Sequence, residues 1–407
     1  MKILIANTHH HLGGGDSTYT FQLGELLKHN NIDVFFFAMQ DPKNIYDPND
    51  DLFVNNIDFK FLNNKKTIRN GIHVAKRAIF SIEAKINFSR LLQRVKPDII
   101  HLQNIHAHIT PSIIIEAKKN DLPVLWTLHD YKLVCPNTHF FIDSNSKICE
   151  ACTSFNYFNA VLKKCKKDSI MASLMASIES YIHAFIGIRN IPKYFLSPSN
   201  FLRNKLVYRG FSPDKILHLP LFIPDYLFNG KSGDEGYFLY FGRITPIKGI
   251  RTLLDAFHTL PEAKLLIAGR IDESFEAEFY NRLPTNAEYV GMRYGDDLRS
   301  LILNSRSTIL PSLWYENQPF SITESFASGK PVIASDLGGM NELIKHRESG
   351  FLVPPGDSVA LSSAVKWLHE NPKNAKRLGA NAKAYALKEH SATSHYDRLI
   401  QIYESAL

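Results

Sequence analysis

Short runs of apolar residues alternate with amphipathic helical patterns along the whole chain. The apolar runs have the length and β-branched content of buried parallel strands. They are Ile3–Ala6, Val34–Ala38, Ile99–Leu102, Val124–Leu128, Phe195–Ser197, Tyr237–Tyr240, Ala263–Ala268, Ser307–Leu310 and Pro331–Ala334. The helical patterns between them include Tyr19–His29, Ile250–His258, Leu298–Leu303 and Ser358–Glu370. This alternation predicts an α/β fold in which helices cover both faces of parallel sheets.

The pattern of strand, glycine and helix starts afresh near residue 237. The stretch before it, "PLFIPDYLFNGKSGDEG", is rich in Pro, Gly and charge, which is typical of a connection. A chain of 407 residues also exceeds what one hydrophobic core usually serves. We therefore predict two doubly wound domains, at residues 1–212 and 213–390. Their ligand cleft should lie between the carboxyl ends of the two sets of strands.

The first residues, the length of the apolar runs and the cysteine content indicate the cellular compartment. The first residues form a brief apolar run followed by polar residues and glycines, without the apolar core or cleavage site of a signal peptide. No apolar run reaches the ~18 residues that a membrane span needs. These features predict a cytoplasmic protein. Four cysteines in so long a chain argue against a fold that depends on disulfides.

The net charge of +7 is unevenly distributed. All the charged residues of 60–96 are basic apart from Glu83, and a second basic run, "KKCKK", covers Lys163–Lys167. The basic residues of the first group are Lys60, Lys65, Lys66, Arg69, Lys76, Arg77, Lys85, Arg90, Arg94 and Lys96. Such groups suit anionic lipid headgroups, nucleic acid or an anionic substrate, or else form a solvated helix face. Few aromatic residues interleave with the basic ones, so we expect no nucleic acid and predict the inner face of the cell membrane as the anionic partner.

Two loops that follow predicted strands suit an anionic ligand. Gly13, Gly14 and Gly15 lead into the first helix, where backbone can approach a ligand and N–H groups point at an anion. The loop lacks the spacing of a Walker A or a dinucleotide motif, and a plain tight turn is an equal alternative. In "FGRITPIKG", Arg243 and Lys248 follow the first strand of the second domain, where two cations suit a diphosphate.

The stretch "ENQPFSITESFASGKPVIASDLGG" places two carboxylates around a helix start. Ser321 and Glu324 have the spacing of a capping box, which gives Glu324 a structural alternative. Glu316 lies in the preceding loop and could accept hydrogen bonds from sugar hydroxyls. The N–H groups of Phe320–Ile322 would remain free for phosphate. A nucleotide sugar has this order of groups: sugar hydroxyls, diphosphate and ribose hydroxyls.

Together these stretches resemble glycosyltransferase family 4, whose members are retaining enzymes of GT-B architecture. The resemblance rests on "FGRITPIKG", the Glu316–Gly339 stretch, "ESGFLVPPGD", "KPDIIHLQN", "WTLHD" and "FLSPSNF", and covers nearly the whole chain. It implies two Rossmann-like domains facing across a cleft, with residues 391–407 forming a helix that crosses back to the first domain. It also implies a nucleotide-sugar donor, a glycan or lipid-linked acceptor and no cofactor for catalysis.

The resemblance implies roles for particular residues. Glu316 and His129 would face the donor sugar, while Arg243 and Lys248 would stabilise the leaving diphosphate. The remaining substrate-binding positions would be Gly13, Gly14, Gly15, Asp130, Gln318, Pro319, Phe320, Ser321 and Glu324, the last on the ribose hydroxyls. On the sequence alone, His129 could equally be a satisfied histidine at a strand end, and Asp130 a turn or helix-cap residue.

The four cysteines, Cys135, Cys149, Cys152 and Cys165, all lie in an insertion at residues 135–165. Cys149 and Cys152 form a C-x-x-C knuckle, which is a common half of a zinc site. The cysteines therefore predict a structural zinc site, and four reduced thiols are the alternative. Because the cluster lies in the first half, we expect it to leave nucleotide affinity unchanged.

Other functions remain open at this point. A phosphorylase or a nucleotide-sugar epimerase could share the architecture, and the basic residues keep a nucleic-acid-binding module as a weaker alternative. A phosphorylase would need a cofactor lysine, which the sequence does not identify. An epimerase would bind a nucleotide sugar without an acceptor.

Overall fold

Within the described residues, 1–56, 77, 79–106 and 108–407, the computed structural model contains two six-stranded parallel sheets and one small hairpin. The strands of the first half are β1 (Lys2–Ala6), β2 (Asp33–Phe37), β3 (Ile99–Leu102), β4 (Val124–Thr127), β5 (Phe141–Ile142), β6 (Lys147–Ile148), β7 (Tyr194–Ser197) and β8 (Ile216–His218). Its helices are α1 (Gly15–His29), α2 (Ile82–Val95), α3 (Ser112–Lys119), α4 (Asn159–Leu162), α5 (Ile170–Ile186) and α6 (Asn200–Tyr208).

The second half repeats the architecture. Its strands are β9 (Phe238–Phe241), β10 (Leu265–Ala268), β11 (Ala287–Gly291), β12 (Ser307–Leu310), β13 (Val332–Ser335) and β14 (Gly350–Val353). Its helices are α7 (Ile250–His258), α8 (Glu276–Arg282), α9 (Gly295–Asn304), α10 (Phe320–Ala327), α11 (Met340–Leu343), α12 (Ser358–Glu370), α13 (Pro372–His390) and α14 (Ala392–Ala406). Short 3-10 turns lie at Asp50–Leu52, Asp143–Asn145, Pro213–Lys215, Asp225–Phe228 and Pro246–Lys248.

The order of strands shows where each sheet can bind a ligand. The first sheet runs β2-β1-β3-β4-β7-β8 and the second runs β11-β10-β9-β12-β13-β14. The direction of winding therefore reverses between β1 and β3 in one sheet and between β9 and β12 in the other. Loops diverge at such a point and leave a crevice at the carboxyl ends of the strands. The loops after β1, β9 and β12 are those that the sequence identified.

Both sheets are buried on two faces, which explains why their strands are apolar throughout. Phe238–Phe241 of β9 is fully buried, and Tyr240 packs into the cluster on one face while Leu239 packs into the cluster on the other. Parallel sheets need this double cover because crossover helices lie on each side. The predicted α/β class with two doubly wound sheets is confirmed.

Besides the two-residue strands β5 and β6 of the small hairpin, the sequence analysis missed three strands of the two large sheets, and each has a physical reason. β8 has only three residues, and β11 is a half-exposed edge strand with a register shift between Ile267 and Ala268 of its neighbour β10. β14 is short and begins at a glycine. β8 also lies beyond the predicted boundary at residue 212, yet it pairs with β7 of the first sheet. The first domain therefore extends to His218, which corrects that boundary.

The last helix, α14, packs against the first domain. The Tyr403 hydroxyl lies 2.6 Å from Nδ1 of His101 on β3, and Nε2 of His395 lies 3.0 Å from the Tyr19 hydroxyl on α1. These four side chains are buried, so each polar atom needs the partner that it finds there. No helix in the described part of the chain is long and apolar enough to cross a membrane.

Candidate active site

A cavity of about 250 Å³ lies between the two domains, at the carboxyl ends of β1, β3, β4 and β12. Its walls are Gly15, Asp16, Asn104, His129, Asp130, Tyr131, Thr138, Leu221, Trp314, Tyr315, Glu316, Asn317, Gln318 and Phe320. The predicted residues Gly15, His129, Asp130, Glu316, Gln318 and Phe320 therefore share one cavity. The structure brings them together from positions far apart in the sequence.

Glu316 is the most constrained acid of this cavity. Only 6% of its surface is exposed. Its Oε1 accepts hydrogen bonds from Nζ of Lys248 at 2.6 Å, from the Ser312 hydroxyl at 2.7 Å and from Nε1 of Trp314 at 2.7 Å. Since all three bonds go to Oε1, Oε2 is the oxygen that a ligand can reach.

The surroundings keep Glu316 ionised. Burial by itself would raise the pKa of its carboxyl, but the charge of Lys248 and the hydrogen bonds from Lys248, Ser312 and Trp314 outweigh it and lower the pKa below its usual value. Glu316 is therefore a carboxylate at neutral pH, and it accepts hydrogen bonds instead of donating a proton.

A glycine allows the Lys248 loop to approach Glu316. Gly249 has φ +75°, and a Cβ there would lie 1.8 Å from the backbone oxygen of Pro311, just after β12. The Leu313 N–H also donates to the Ile247 oxygen at 2.9 Å. The loops after β9 and β12 are thus joined through their backbones, which holds Lys248 in reach of the carboxylate.

The start of α10 differs from the capping box that was the structural alternative for Ser321 and Glu324. The helix begins at Phe320 with Pro319 as its cap residue and has no side-chain cap bond, so Ser321 lies inside the first turn. The Ile322 N–H donates to the Pro319 oxygen at 3.1 Å and is not free for a ligand. Within the described chain, the N–H groups of Phe320 and Ser321 have no such partner. These two donors at the positive end of the helix are available to an anion.

Glu324 lies one turn further along α10, outside the cavity walls. It is half-buried, and burial raises its pKa to about 7. With the capping box absent, this carboxyl has no capping function. A partly desolvated carboxyl near its ionisation point is stabilised by ligand hydroxyls that donate to it.

Arg243 lies apart from the cavity walls. It follows β9 and lines a second, open cavity of about 640 Å³ with Thr245, Arg270 and Asp272. Its guanidinium is exposed, and its backbone oxygen accepts from the Tyr240 hydroxyl at 2.5 Å. The predicted pair of cations is therefore divided, with Lys248 bound to Glu316 and Arg243 facing the second cavity.

The glycine loop reaches the second domain at one residue. A Cβ at Gly15 would lie 3.2 Å from the Phe320 ring, so the helix starts of α1 and α10 face each other across the cleft. Gly13 and Gly14 precede it on exposed backbone. Asp16 in the first turn of α1 accepts from Nδ2 of Asn104 at 3.1 Å. Since an acid already occupies this helix start, a sugar hydroxyl suits it better than a phosphate.

Among the described residues, His129 has one hydrogen-bond partner, which leaves its second ring nitrogen for a ligand. Its Nε2 donates to the Gln103 amide oxygen at 2.8 Å, which leaves Nδ1 as a hydrogen-bond acceptor. Burial lowers its pKa, with Asp16 and Asp130 opposing the shift, so the ring is neutral at neutral pH. The sequence left two interpretations of His129, a hydrogen-bonded histidine at a strand end and a residue of the ligand site. Both apply in part, since the ring is hydrogen-bonded and also lines the cavity.

Asp130 has the turn role that was its alternative. Its Oδ1 accepts from the Lys132 N–H at 2.8 Å, and burial raises its pKa. It still lines the cavity, together with Asp16 and Glu316. Three acids around one space favour a ligand rich in neutral hydroxyls over an anionic one. Asp16 was missed, although its position directly after the glycine loop was a usable signal.

Gln318 is engaged in holding the domain connection. Its Oε1 accepts from the Leu221 N–H at 2.7 Å and its Nε2 donates to the Leu221 oxygen at 2.8 Å. Leu221 belongs to the segment that crosses between the domains. Both atoms of the amide are thus bonded to the backbone of Leu221 and not directed, as had been predicted, at a substrate. Gln318 lines the cavity without offering it a hydrogen bond.

The predicted metal ligands also come together. Cys135, Cys149, Cys152 and Cys165 are free thiols around one small cavity of about 10 Å³ in the insertion. A different set, His9, His11 and Asp41, has ligand atoms within 4.8 Å of one another in the described part of the chain. The sequence analysis missed that set because Asp41 is distant in sequence.

The basic group at 60–96 is only partly described. Lys60, Lys65, Lys66, Arg69 and Lys76 lie outside the described residues. Among the others, Arg77 pairs with Glu83 at 2.8 Å, Lys85 with Glu116 at 3.9 Å and Arg94 with Asp51 at 2.8 Å. These pairs reduce the positive field that the sequence suggested.

The fold and the cavity agree with what family models find. The model described as Glycosyltransferase Family 4 matches residues 13–225, more than half of the chain, and the model described as Glycosyl transferases group 1 matches residues 227–385. The chain therefore belongs to glycosyltransferase family 4, and the resemblance seen in the sequence is confirmed.

Several glycosyltransferases are similar to part of the chain. The D-rhamnosyltransferase WbpZ of Pseudomonas aeruginosa is 31% identical over 36% of this chain and 40% of its own length. The phosphatidyl-myo-inositol mannosyltransferase of Mycobacterium leprae is 30% identical over 41% of this chain and 46% of its own. The O-antigen chain mannosyltransferase C of Escherichia coli is 26% identical over 42% and 47%. The chain thus spans less than half the length of these relatives.

Solved structures match the whole chain. HepE of Anabaena in complex with UDP has a TM-score of 0.70 at 15% identity, with 100% of both chains covered. Sucrose-phosphate synthase of Thermosynechococcus elongatus has a TM-score of 0.71 at 18% identity and covers 99% of this chain and 98% of its own. At these identities the likeness concerns the fold, which is the predicted GT-B architecture of two facing Rossmann-like domains.

Proposed function

We propose that the protein is a retaining hexosyltransferase that moves a sugar from a nucleotide-sugar donor to a glycan or lipid-linked acceptor. The ion pair of Lys248 and Glu316 at the switch point of the second sheet carries this proposal. It places a cation and a hydroxyl-binding carboxylate beside the two free N–H groups of α10. A sugar diphosphate needs that combination where its sugar meets its phosphate.

The donor would lie along the start of α10. Its phosphates would accept from the N–H groups of Phe320 and Ser321 and from Lys248, and Arg243 would reach them from the second cavity. The ribose would extend to Glu324, whose carboxyl is half-buried and uncapped. The family resemblance assigns the ribose to the same residue.

The sugar would occupy the acid-lined cavity. Oε2 of Glu316 and Nδ1 of His129 would both accept hydrogen bonds from its hydroxyls. Asp16 and Asp130 would accept from the sugar or from the acceptor on the side of the first domain. A neutral hexose satisfies these acceptors without adding negative charge.

Transfer with retention is what the family resemblance implies, and the groups at the site support it. Glu316 is ionised and its Oε1 is fully engaged, so it stabilises the oxocarbenium-like transition state electrostatically instead of acting as an acid. The bond from the anomeric carbon to the diphosphate oxygen would break while the acceptor oxygen bonds on the same face. The acceptor proton would pass to the departing phosphate oxygen, whose charge Lys248 and the helix N–H groups stabilise.

The names of the relatives support an acceptor in cell-surface glycan synthesis. They include an O-antigen mannosyltransferase and an enzyme that glycosylates phosphatidyl-myo-inositol. We propose that the acceptor enters from the first domain, and that the enzyme works at the cytoplasmic face of the cell membrane.

A surface of the first domain fits such a membrane. Along α5, Ile170, Met171, Ile178, Tyr181 and Phe185 are exposed, with Phe185 94% and Met171 66% accessible. Leu162 precedes this helix and is 68% exposed, and Lys163, Lys164 and Lys167 lie between them as exposed cations. An apolar helix face beside a group of lysines suits an anionic bilayer. This surface replaces the basic group at 60–96 as the proposed contact.

The central experiment is a donor screen. Thermal shift and hydrolysis are measured with UDP-, GDP-, ADP- and dTDP-sugars, beginning with UDP-sugars. One nucleotide should stabilise the protein in proportion to the logarithm of its concentration. Nuclear magnetic resonance of the product should then show the anomeric configuration of the donor. An inverted product would exclude the retaining mechanism, and conversion of the donor into an isomeric nucleotide sugar without release of nucleotide would favour an epimerase.

A further inference from the structure

Four cysteines from separate segments converge in the insertion. Cys135 follows the turn after β4, Cys149 and Cys152 follow β6, and Cys165 follows α4. They line one cavity of about 10 Å³, together with Asn137, Phe140, Phe141, Asn159 and Ala160. Cys135, Cys152 and Cys165 are buried, and Cys149 is half-buried. Every cysteine of the chain is therefore at this one place.

The insertion has little other structure to hold it. Its hairpin consists of two strands of two residues each, and α4 has four residues. The apolar cluster at its centre contains Ile142, Tyr157 and Ala160 besides Cys149, Cys152 and Cys165, while Cys135 and Phe140 pack into the core of the first domain. Apolar burial on this scale stabilises a loop weakly, because the ordering of each residue costs about 1–2 kcal/mol.

We propose that Cys135, Cys149, Cys152 and Cys165 bind one structural Zn²⁺ as four thiolates, and that this metal fixes the insertion against the donor loop. Zinc prefers sulfur, and a shell of four protein ligands is typical of a structural site. The C-x-x-C spacing supplies two ligands from one turn, and the other two come from either side of it.

The sulfur atoms are more widely spaced than in a closed zinc shell. Four sulfurs at about 2.3 Å from zinc lie about 3.8 Å from one another in a tetrahedron. No three of the described thiol sulfurs approach within 4.8 Å of one another. Zinc binding therefore requires the cysteine side chains to rotate into the cavity between them. Zinc binding should therefore tighten the insertion measurably.

The cysteine knuckle contacts the loop that carries Glu316. Glu150, between Cys149 and Cys152, accepts from the Tyr315 hydroxyl at 2.7 Å and from Nζ of Lys205 at 2.6 Å. Arg209 donates to the backbone oxygens of Cys152 and Glu150. Tyr315 immediately precedes Glu316. The cluster thus reaches across the cleft to the donor domain, which gives it a route by which it could influence nucleotide binding.

Metal analysis tests the site without using activity. Protein is purified without a histidine tag, and its zinc is quantified by plasma mass spectrometry. About one zinc per chain is expected, and Cys149→Ser with Cys152→Ser should remove it. A thiol-modifying mercurial should release the zinc from wild-type protein into a colorimetric chelator, which needs no variant to fold. Cobalt substitution should give the charge-transfer absorption of tetrahedral thiolate ligation.

Three results would overturn the zinc site. They are a disulfide between any two of these cysteines in freshly purified protein, iron with acid-labile sulfide, and wild-type protein that stays metal-free after dialysis against zinc. The first two would show that other chemistry holds the insertion together. The last would show that four reduced thiols suffice.

Glu150→Gln tests the link from the cluster to Glu316 separately. This variant should keep its zinc, because no ligand is changed. It should raise the KM for the donor several-fold, since the Tyr315 hydroxyl and Lys205 lose a charged acceptor. Glu288→Gln, on the exposed edge strand β11, is the matched control. Unchanged KM in Glu150→Gln would overturn the link, whatever the metal content shows.

Discussion

The Nζ atom of Lys248 lies 2.6 Å from Oε1 of Glu316, although the two residues are 68 positions apart. This pair joins the loops after β9 and β12, between which the second sheet reverses its direction of winding. Both side chains are largely buried, so removing one partner should lower the free energy of unfolding strongly, because it leaves the other charge buried and unpaired. It is also the point at which a cation and a hydroxyl acceptor meet beside the α10 helix start.

Replacing Glu316 by Gln should lower kcat by about 10²–10³-fold with a smaller change in KM, because its charge acts mainly in the transition state. The amide oxygen can still accept from Ser312 and Trp314, so the fold should persist. The measurement is steady-state transfer with the donor found in the screen, and Glu288→Gln serves as the control. Wild-type turnover in Glu316→Gln would remove Glu316 from the mechanism.

Replacing Lys248 by Met should reduce the free energy of unfolding by about 3–5 kcal/mol, because it leaves a buried carboxylate without its cation. The double variant Lys248→Met with Glu316→Gln should recover part of this loss. In the wild type, the folded pKa of Glu316 lies below its unfolded value. Its contribution to stability is therefore present above about pH 4.5 and is lost as pH falls through the folded pKa. Urea unfolding at several pH values tests both points, and additive single-variant effects would contradict the pairing.

Glu324 should show the opposite pH dependence. Its folded pKa of about 7 exceeds the ordinary value of 4.5. The folded state therefore keeps a proton that the unfolded state loses, and stability falls as pH rises between these values. Glu324→Gln should be more stable than wild type above pH 7, by about 1–2 kcal/mol after allowance for solvent screening, and should bind nucleotide more weakly.

Glu370→Gln, an exposed helical position, is the control for that experiment. Calorimetry gives the nucleotide affinity, and melting curves at pH values on either side of 7 give the stability. A capping role for Glu324 predicts the reverse, with lower stability in Glu324→Gln and unchanged affinity.

Gly249→Ala should destabilise the donor domain and reduce transfer. The new Cβ would collide with the Pro311 oxygen, and φ is +75°. Gly210→Ala is a matched control, since Gly210 has φ +85° but nothing within 4 Å of a Cβ. The control should cost about 1 kcal/mol from backbone strain alone, and Gly249→Ala clearly more. Equal melting temperatures for the two variants would show that the close approach to Pro311 is unimportant.

The α5 surface should bind vesicles that contain phosphatidylserine, with affinity that falls as salt rises. Met171→Glu with Phe185→Glu, and separately the reversal of Lys163, Lys164 and Lys167 to Glu, should abolish sedimentation with these vesicles. Hydrolysis of a soluble donor should be unaffected. The control reverses three exposed cations of the second domain, Lys373, Lys376 and Arg377. Equal loss in this control, or equal binding of the wild type to neutral vesicles, would exclude the assignment.

The sequence by itself determined the α/β class, most strands and the loops that form the site. Buried parallel strands are apolar along their whole length, so runs such as Ser307–Leu310 were located without any tertiary information. The positions of Glu316, Lys248 and the Gly13–Gly15 loop followed from these strands, since ligand loops lie at their carboxyl ends. Local signals of this kind depend only on burial and backbone geometry within a few residues.

Only the tertiary structure decided which of these groups meet. The partnership of Lys248 with Glu316, the separation of Arg243, and the contact of Glu150 with Tyr315 depend on the strand order and on how the domains face each other. The capping-box alternative for Ser321 and Glu324 was wrong because a spacing of three residues cannot specify where a helix begins, and here the helix begins two residues earlier, with Pro319 in place of Ser321 as its cap. Contacts between distant positions are set by packing of the whole chain, which no local pattern contains.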